Sequence, residues 1–357
     1  MIKNIAIIGV VGVPAKYGGF ETLAEQLILN SDENTIYTVY CSSRSYEKKL
    51  NSYQSAQLKY VNLKANGYQS VFYDVISLWK SRKSDVILIL GCSGCIILPL
   101  LKKISKAKII VNVDGVEWRR NKWNFVIKKF LKISERIAVN NADVIVADNQ
   151  GICDLLHSNY NTNSVLIAYG GSHVFKKSIS QSLINNFPFL NKPYAFKVCR
   201  IEPENNLEII LEAYSEINEE IVIVGNWGNS DFGKQLYSRF SKFNHIHLLN
   251  PIYDLDKLDQ IRSNCKIYIH GHSAGGTNPS LVEAMYLGLP VICFDVNFNR
   301  HTTNNEAFYF TDKDSLKEVV LNADIELFPK ISERLQFIAK EKYDWKLIAN
   351  QYKKIFD

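Results

Sequence analysis

Short apolar, β-branched runs alternate with amphipathic stretches along the whole chain, and this alternation limits the fold more than any other feature of the sequence. The runs read NIAIIGV, TIYTVYC, DVILILG, KIIVNV, DVIVAD and SVLIAYG, then YAFKVCR, EIVIVGN, IHLLN, KIYIHG, PVICFD and AFYF. Each is followed by a segment of helical character, the pattern of parallel strands joined by crossover helices. A dozen strands exceed the usual width of one doubly wound sheet, so two sheets in two domains are expected. The segment SQSLINNFPFLNKP, polar and with two prolines, precedes a fresh strand and marks the boundary. The expected division is 1–188 and 189–330, each Rossmann-like, with a helical segment at 331–357 packing back across the junction. In such an α/β pair the carboxyl ends of the strands face each other across a cleft.

Composition matters mainly for what it excludes. With 46% hydrophobic and 22% charged residues in 357, the chain can bury two ordinary cores. No apolar run approaches the length of a membrane span. MIKNIAIIGVVGV reads as a first strand rather than a signal peptide, because a loop and an amphipathic helix follow it. Seven scattered cysteines suit a reducing compartment, and Cys92 and Cys95 read as small residues packing at a strand end rather than as a redox pair. Charge is unevenly shared: residues 1–190 carry 23 Lys and Arg against 13 Asp and Glu. The densest basic stretch, EWRRNKWNFVIKKFLKISERI, interleaves cations with Trp118, Trp123, Phe125 and Phe130. It reads equally as a helix with a solvated basic face or as a surface for anionic lipid headgroups.

Four loops can carry chemistry. After the first strand, GVVGVPAKYGGFETLAEQL places Gly9, Gly12, Gly18 and Gly19 before a helix start, which suits either a tight turn or an anion held by amides. It departs from G-x-G-x-x-G, and no acid ends the next strand, so a nicotinamide dinucleotide is poorly supported, although Arg44 suits a 2′-phosphate. At the head of the second domain, VCRIEPENN puts Arg200 at a strand's carboxyl end, where it can grip a diphosphate or pair with Glu202 or Glu204. HGHSAGGTNPSLVEAM, residues 270–285, is a strand end, a small-residue loop and a helix with Asn278 as N-cap, Pro279 first and Gly288 as the stop. Glu283 sits among apolar neighbours there, where an unpaired carboxylate would be costly. NVDGVEWRRNKW follows a first-domain strand and holds Asp114, Glu117 and Arg119 in or beside an Asp-Gly turn. Asp254 and Asp256 of YDLDKLD read as a helix opening rather than a metal motif.

These motifs resemble glycosyltransferase family 4, nucleotide-sugar enzymes of the GT-B fold. More narrowly, GVPAKYGGFET, NVDGVEWRRNKW, CRIEPENN, HSAGGTNPSLVEAM and FDVNFNR, in that order over nearly the whole chain, are similar to the bacterial subgroup with retaining rhamnosyltransferases of capsule and O-antigen assembly. The resemblance implies Arg200 on the donor diphosphate, with Asn205 and Asn206 standing where the wider family has a lysine. It implies Glu283 on the nucleotide ribose and Gly275 where a first glutamate would contact the donor sugar, that work falling to amides of Gly275, Gly276 and Thr277 or to His272. Amides around Gly18, Gly19 and Asn278 would stabilise the leaving phosphate, Asp114 would act with Arg200 in catalysis, and Tyr17, Glu117 and Arg119 would shape the acceptor site. No metal or other cofactor is implied. The implied partners are a nucleotide-sugar donor, dTDP-rhamnose favoured, a lipid-linked saccharide acceptor and the inner face of the cell membrane, at which a cytoplasmic enzyme would sit, with no nucleic acid. An epimerase or hydrolase on the same frame and a non-catalytic sugar-nucleotide binder remain as alternatives.

Overall fold

The computed structural model describes all residues except Met1, Tyr17, Asp114, Val116, 120–122 and 323–325, together with the side chain of Arg119. The chain forms two compact units, residues 1–169 with 345–357 and residues 170–344. Unit 1 contains β1 (Lys3–Ile8), β2 (Thr35–Ser42), β3 (Ser52–Tyr53), β4 (Ala56–Val61), β5 (Val86–Leu90), β6 (Lys108–Asn112), β7 (Val144–Ala147) and β8 (Val165–Leu166). Unit 2 contains β9 (Tyr194–Val198), β10 (Glu220–Val224), β11 (Ile246–Leu249), β12 (Ile267–His270), β13 (Val291–Phe294) and β14 (Phe308–Phe310).

The first sheet has the order β3-β4-β2-β1-β5-β6-β7-β8 and the second β11-β10-β9-β12-β13-β14. Every pairing is parallel except the short β3–β4 hairpin. All twelve expected strands are present. β5, VILIL, is buried along its whole length, as a central strand covered on both faces must be. Helices cover the second sheet likewise: Leu207, Ile210, Leu211 and Tyr214 of helix Leu207–Ser215 pack in one core with Ala195, Ile221, Ile223 and Ile269.

The structure adds β3 and β4, which the sequence reading passed over. In β4, AQLKYV, Ala56 and Leu58 are buried while Gln57 and Lys59 are exposed, a period-two signal diluted by its polar half. The division also differs from the expected one. Past residue 169 the chain already belongs to unit 2: Gly171 N–H donates to Tyr343 O (2.8 Å), Lys177 N–H to Ser263 Oγ (3.2 Å) and Ser180 N–H to Gln260 Oε1 (2.9 Å). The C-terminal helical pattern is two helices, Leu327–Lys342 in unit 2 and Trp345–Phe356 in unit 1, separated at Tyr343, whose φ of −120° and ψ of 24° leave the helical region.

The last helix completes unit 1. Its Tyr352 is fully buried and its hydroxyl accepts from Asn112 Nδ2 at 2.6 Å, at the end of β6. Lys3 Nζ reaches Phe356 O at 3.2 Å, and the helix packs against helix Gly19–Leu29. Truncating a buried aromatic leaves a cavity costing about 3–5 kcal/mol. Tyr352→Ala should therefore lower unfolding free energy by about that amount in urea titrations; a loss under about 1 kcal/mol would mean that the last helix contributes little to unit 1.

Candidate active site

In unit 2 the chain fills one side of the sheet with β10 and β11, then returns to place β12 against the other side of β9. The crevice beyond the carboxyl ends of β9 and β12 is therefore the switch point, where open α/β sheets take their ligands. Arg200 follows β9 and the 271–278 segment follows β12, so the two second-domain motifs flank that crevice.

The two loops are laced together. Asn206, in left-handed backbone geometry at φ 48°, donates from Nδ2 to Gly271 O at 2.8 Å. Ser273 N–H donates to Glu204 O at 2.9 Å. Gly271 lies so close to the other loop that a Cβ there would meet Asn205 O at 2.3 Å, so no larger residue fits without moving backbone. Asn205 is buried; its Nδ2 donates to Arg200 O (2.8 Å), which turns Oδ1 toward His272 Nδ1 (3.0 Å). His272 Nε2 in turn faces Ala274 O at 2.6 Å. Its two ring nitrogens thus lie against a side-chain oxygen and a backbone oxygen, which fixes the orientation of the ring. His270, at the end of β12, differs: burial, then the Lys197 charge, hold its imidazole well below the usual range, and it stays neutral.

Asn205 and Asn206, expected to touch the donor, use their side chains to tie the protein's own loops. Arg200 is half-exposed, with a guanidinium nitrogen 3.5 Å from Glu202 Oε2, so the surface pairing considered from sequence does form. Beyond the loop, Gly275 and Gly276 take positive φ of 68° and 62°. Asn278 caps helix Pro279–Tyr286, its Oδ1 accepting from Ser280 N–H at 3.1 Å, and Thr277 is buried just before it.

Glu283 lies on that helix with 14% of its side chain exposed. One carboxylate oxygen accepts from Arg262 and the other lies 3.2 Å from His173 Nε2. Arg262, 3% exposed, also donates to Asp259 one helical turn away, so one guanidinium serves two buried carboxylates. Burial alone would raise the Glu283 carboxyl; the Arg262 charge, helped by His173, more than offsets this and holds it below the ordinary value. The residue is neither solvent-facing nor unpaired: its position is fixed by the protein, and its oxygens retain lone pairs for further donors.

Sequence reading missed Arg262, Asp259 and His173. A signal for the first two exists: on helix Leu255–Ser263 they sit beside buried Leu258 and Ile261, at positions where charge is out of place. His173 gives no such signal, since it is brought to Glu283 by a loop in which Gly171 approaches Val282 O so closely that a Cβ would lie 2.8 Å from it. In the YDLDKLD segment, Asp254 caps its helix by accepting from Lys257 N–H (3.2 Å), and Asp256 pairs with Lys177.

In unit 1 the glycine-rich loop already holds a carboxylate. Glu21 Oε1 accepts from Val11 N–H at 2.8 Å, and a Cβ on Gly18, whose φ is 122°, would collide with Glu21 Oε2 at 2.1 Å. Burial raises the Glu21 carboxyl above its ordinary value, partly offset by the Val11 bond. Gly18 and Gly19, expected to offer amides to an anion, thus lie at a helix start beside an internal carboxylate. Glu117 accepts from Trp123 Nε1 at 3.2 Å. Asp114, Tyr17 and the Arg119 side chain, all expected site residues, lie outside the described residues.

Residues 181–323 match the family model described as glycosyl transferases group 1, and residues 2–172 match a domain of unknown function, DUF1972. The chain is 23% identical to an uncharacterized glycosyltransferase of Methanocaldococcus jannaschii over 95% of both chains. It is similar in structure to sucrose-phosphate synthase from Thermosynechococcus elongatus, with a TM-score of 0.81 at 13% identity over 99% of this chain and 98% of that one. It is also similar to Anabaena HepE in complex with UDP and glucose, with a TM-score of 0.75 at 14% identity over 99% of both chains. The protein is a glycosyltransferase, and its two parallel-sheet units are those of the GT-B fold.

Removing Arg262 would leave two buried carboxylates without their cation, a loss of about 3–5 kcal/mol. Arg262→Met should show that deficit at pH 7. Because the wild-type Glu283 carboxyl is held below 4.5, the stability it contributes is present above that value and lost as pH falls through the lower folded one. The variant, with its carboxyls raised instead, should recover stability relative to wild type on acidification below neutral. Urea titrations at pH 7 and 5 check this; a deficit that does not shrink at pH 5 would refute the pairing as its cause.

Proposed function

We propose that this glycosyltransferase transfers a sugar, with retention of anomeric configuration, from a nucleotide-diphosphate donor held by unit 2 to a lipid-linked saccharide acceptor served by unit 1. The observation that carries the proposal is the pairing of Arg200 and the Gly275–Asn278 segment across the β9/β12 switch point, with Glu283 fixed one turn into the following helix. Glu283 would accept hydrogen bonds from the ribose hydroxyls. Arg200 would leave Glu202 for the diphosphate, a stronger, bidentate partner. Amides at the start of helix Pro279–Tyr286 would share the charge that develops on the leaving phosphate. With no protein nucleophile required, the acceptor hydroxyl attacks on the face the phosphate leaves, and the departing phosphate oxygen takes its proton. No metal enters this scheme.

Gly275 stands where the wider resemblance places a carboxylate for the donor sugar, which favours a deoxysugar with one hydroxyl fewer to bind. The donor we favour is dTDP-rhamnose, and the setting is bacterial surface polysaccharide synthesis at the inner face of the cell membrane. The solved structure of HepE holds UDP and glucose, and UDP-glucose is the comparison donor.

Two measurements decide the matter. In a thermal-shift screen over dTDP, UDP and GDP sugars, the true donor should raise the melting temperature with concentration; stabilisation reaches about 2.7 kcal/mol at a hundredfold excess over Kd. A screen in which UDP-glucose stabilises and dTDP-rhamnose does not would overturn the rhamnose assignment. Arg200→Ala should cut transfer about 10²–10³-fold, the usual loss for one donor to a leaving oxyanion. A rate within about threefold of wild type would remove Arg200 from the diphosphate.

A further inference from the structure

Three helices of unit 1 carry outward faces for which the transfer chemistry has no use. Helices Ser70–Ser81, Leu98–Ile104 and Phe125–Asn141 follow β4, β5 and β6, and each crossover advances in the same direction across the sheet. Right-handed crossovers therefore lay all three on one face of it. They are neighbours: helix Leu98–Ile104 packs against helix Phe125–Asn141, and the turn leading into it, Cys95–Ile97, packs against helix Ser70–Ser81.

Outer helix faces are ordinarily polar. Here Phe72, Ile76 and Trp79, at i, i+4 and i+7 on the first helix, are 64%, 38% and 44% exposed. The buried side of the same helix is supplied by Tyr73, Ser77 and Leu78. On the second helix Leu100 and Ile104 are exposed, and on the third Phe125 and Val126 are 80% and 73% exposed. Exposed apolar side chains scattered singly need no explanation, but a run across three adjacent helices does.

Charge identifies the occupant. The three helices carry two carboxylates, Asp74 and Glu135, and both are buried. Their outward cations include Lys80, four residues after Ile76; Lys103, three after Leu100; and Lys129, four after Phe125. Each apolar stripe is thus bordered by positive charge with no exposed negative charge from the same helix. A single-sign field spread over a broad apolar face suits a bilayer bearing anionic headgroups, which needs no residue-by-residue match. Trp79 has the amphipathic ring that settles at such an interface. The two tryptophans of the basic stretch singled out in the sequence take no part: Trp118 Nε1 donates to Glu135 Oε1 (3.1 Å) and Trp123 Nε1 to Glu117 Oε1 (3.2 Å).

We propose that this face of unit 1 docks on an anionic lipid bilayer, with Phe72, Trp79, Leu100 and Phe125 entering the headgroup region and Lys80, Lys103 and Lys129 meeting lipid phosphates. The inference deepens the membrane setting proposed above by naming the face that docks, and its observations are those of unit 1's surface, independent of the donor site.

The test is co-sedimentation of the full chain with mixed phosphatidylcholine–phosphatidylglycerol vesicles and with pure phosphatidylcholine vesicles. The wild type should bind the mixed vesicles and bind them less at high salt. Phe72→Ser/Trp79→Ser and Lys80→Glu/Lys129→Glu should each weaken binding about tenfold or more. All four positions are solvent-exposed, so thermal melting should stay within a few degrees of wild type and show the variants folded. Arg200→Ala should bind vesicles like wild type, so that failure of the donor reading and failure of this one are told apart. Failure to bind the mixed vesicles, or equal binding by wild type and both double variants, would overturn the proposal. So would a wild-type dimer in sedimentation velocity that Phe72→Ser/Trp79→Ser disperses, since the face would then belong to a second copy.

Discussion

One guanidinium holds two buried carboxylates in unit 2, and the candidate site rests on that arrangement. Arg262 lies between Asp259, on its own helix, and Glu283, on helix Pro279–Tyr286. Taking three charges out of water is expensive, and hydrophobic residues of similar size would often serve stability as well or better. What the charged cluster supplies is a carboxylate of defined orientation and ionisation in a place where a free one would take up a proton. The ribose-binding role proposed for Glu283 needs that property: the group must remain an acceptor before the ligand arrives.

The loops nearby follow the same division of labour. Asn205, Asn206, Ser273 and Gly271 are occupied with one another, which leaves the half-exposed Arg200 and the mainchain around Gly275 and Gly276 as the groups with reach outward. The two positions where the wider resemblance places a lysine, Asn205 and Asn206, carry amides that bond the protein's own loops. His272, held between Asn205 Oδ1 and Ala274 O, ties the same two loops together. In unit 1 the corresponding loop is held by Glu21, so the two switch points are unlike electrostatically: a carboxylate at one, an arginine at the other.

Much of the fold was legible because parallel strands buried on both faces read as unbroken β-branched runs, of which β5 is the plainest. β4 was not, because a strand next to the sheet's edge with one solvated face dilutes the same signal to alternate residues. The helix after Asn278 could be placed to the residue, since its cap, its proline and its glycine stop are local chemistry. The pairing of Glu283 with Arg262 and His173 could not, because partners 21 and 110 positions away are joined only by tertiary packing. The unit boundary failed for a related reason. Prolines and polar residues mark loops, but only hydrogen bonds such as Lys177 to Ser263 decide which body a loop belongs to.

Unit 2 is, in chain order, an insertion within unit 1: residues 170–344 are continuous, whereas unit 1 is split between 1–169 and 345–357. A ribosome therefore releases every residue of the second body before it releases the helix that fills the first. During synthesis the amino-terminal sheet waits with the seat of Tyr352 open, while the inserted body already has all its strands. The usual order, in which the amino-terminal domain is the first finished, is reversed by thirteen residues at the end of the chain.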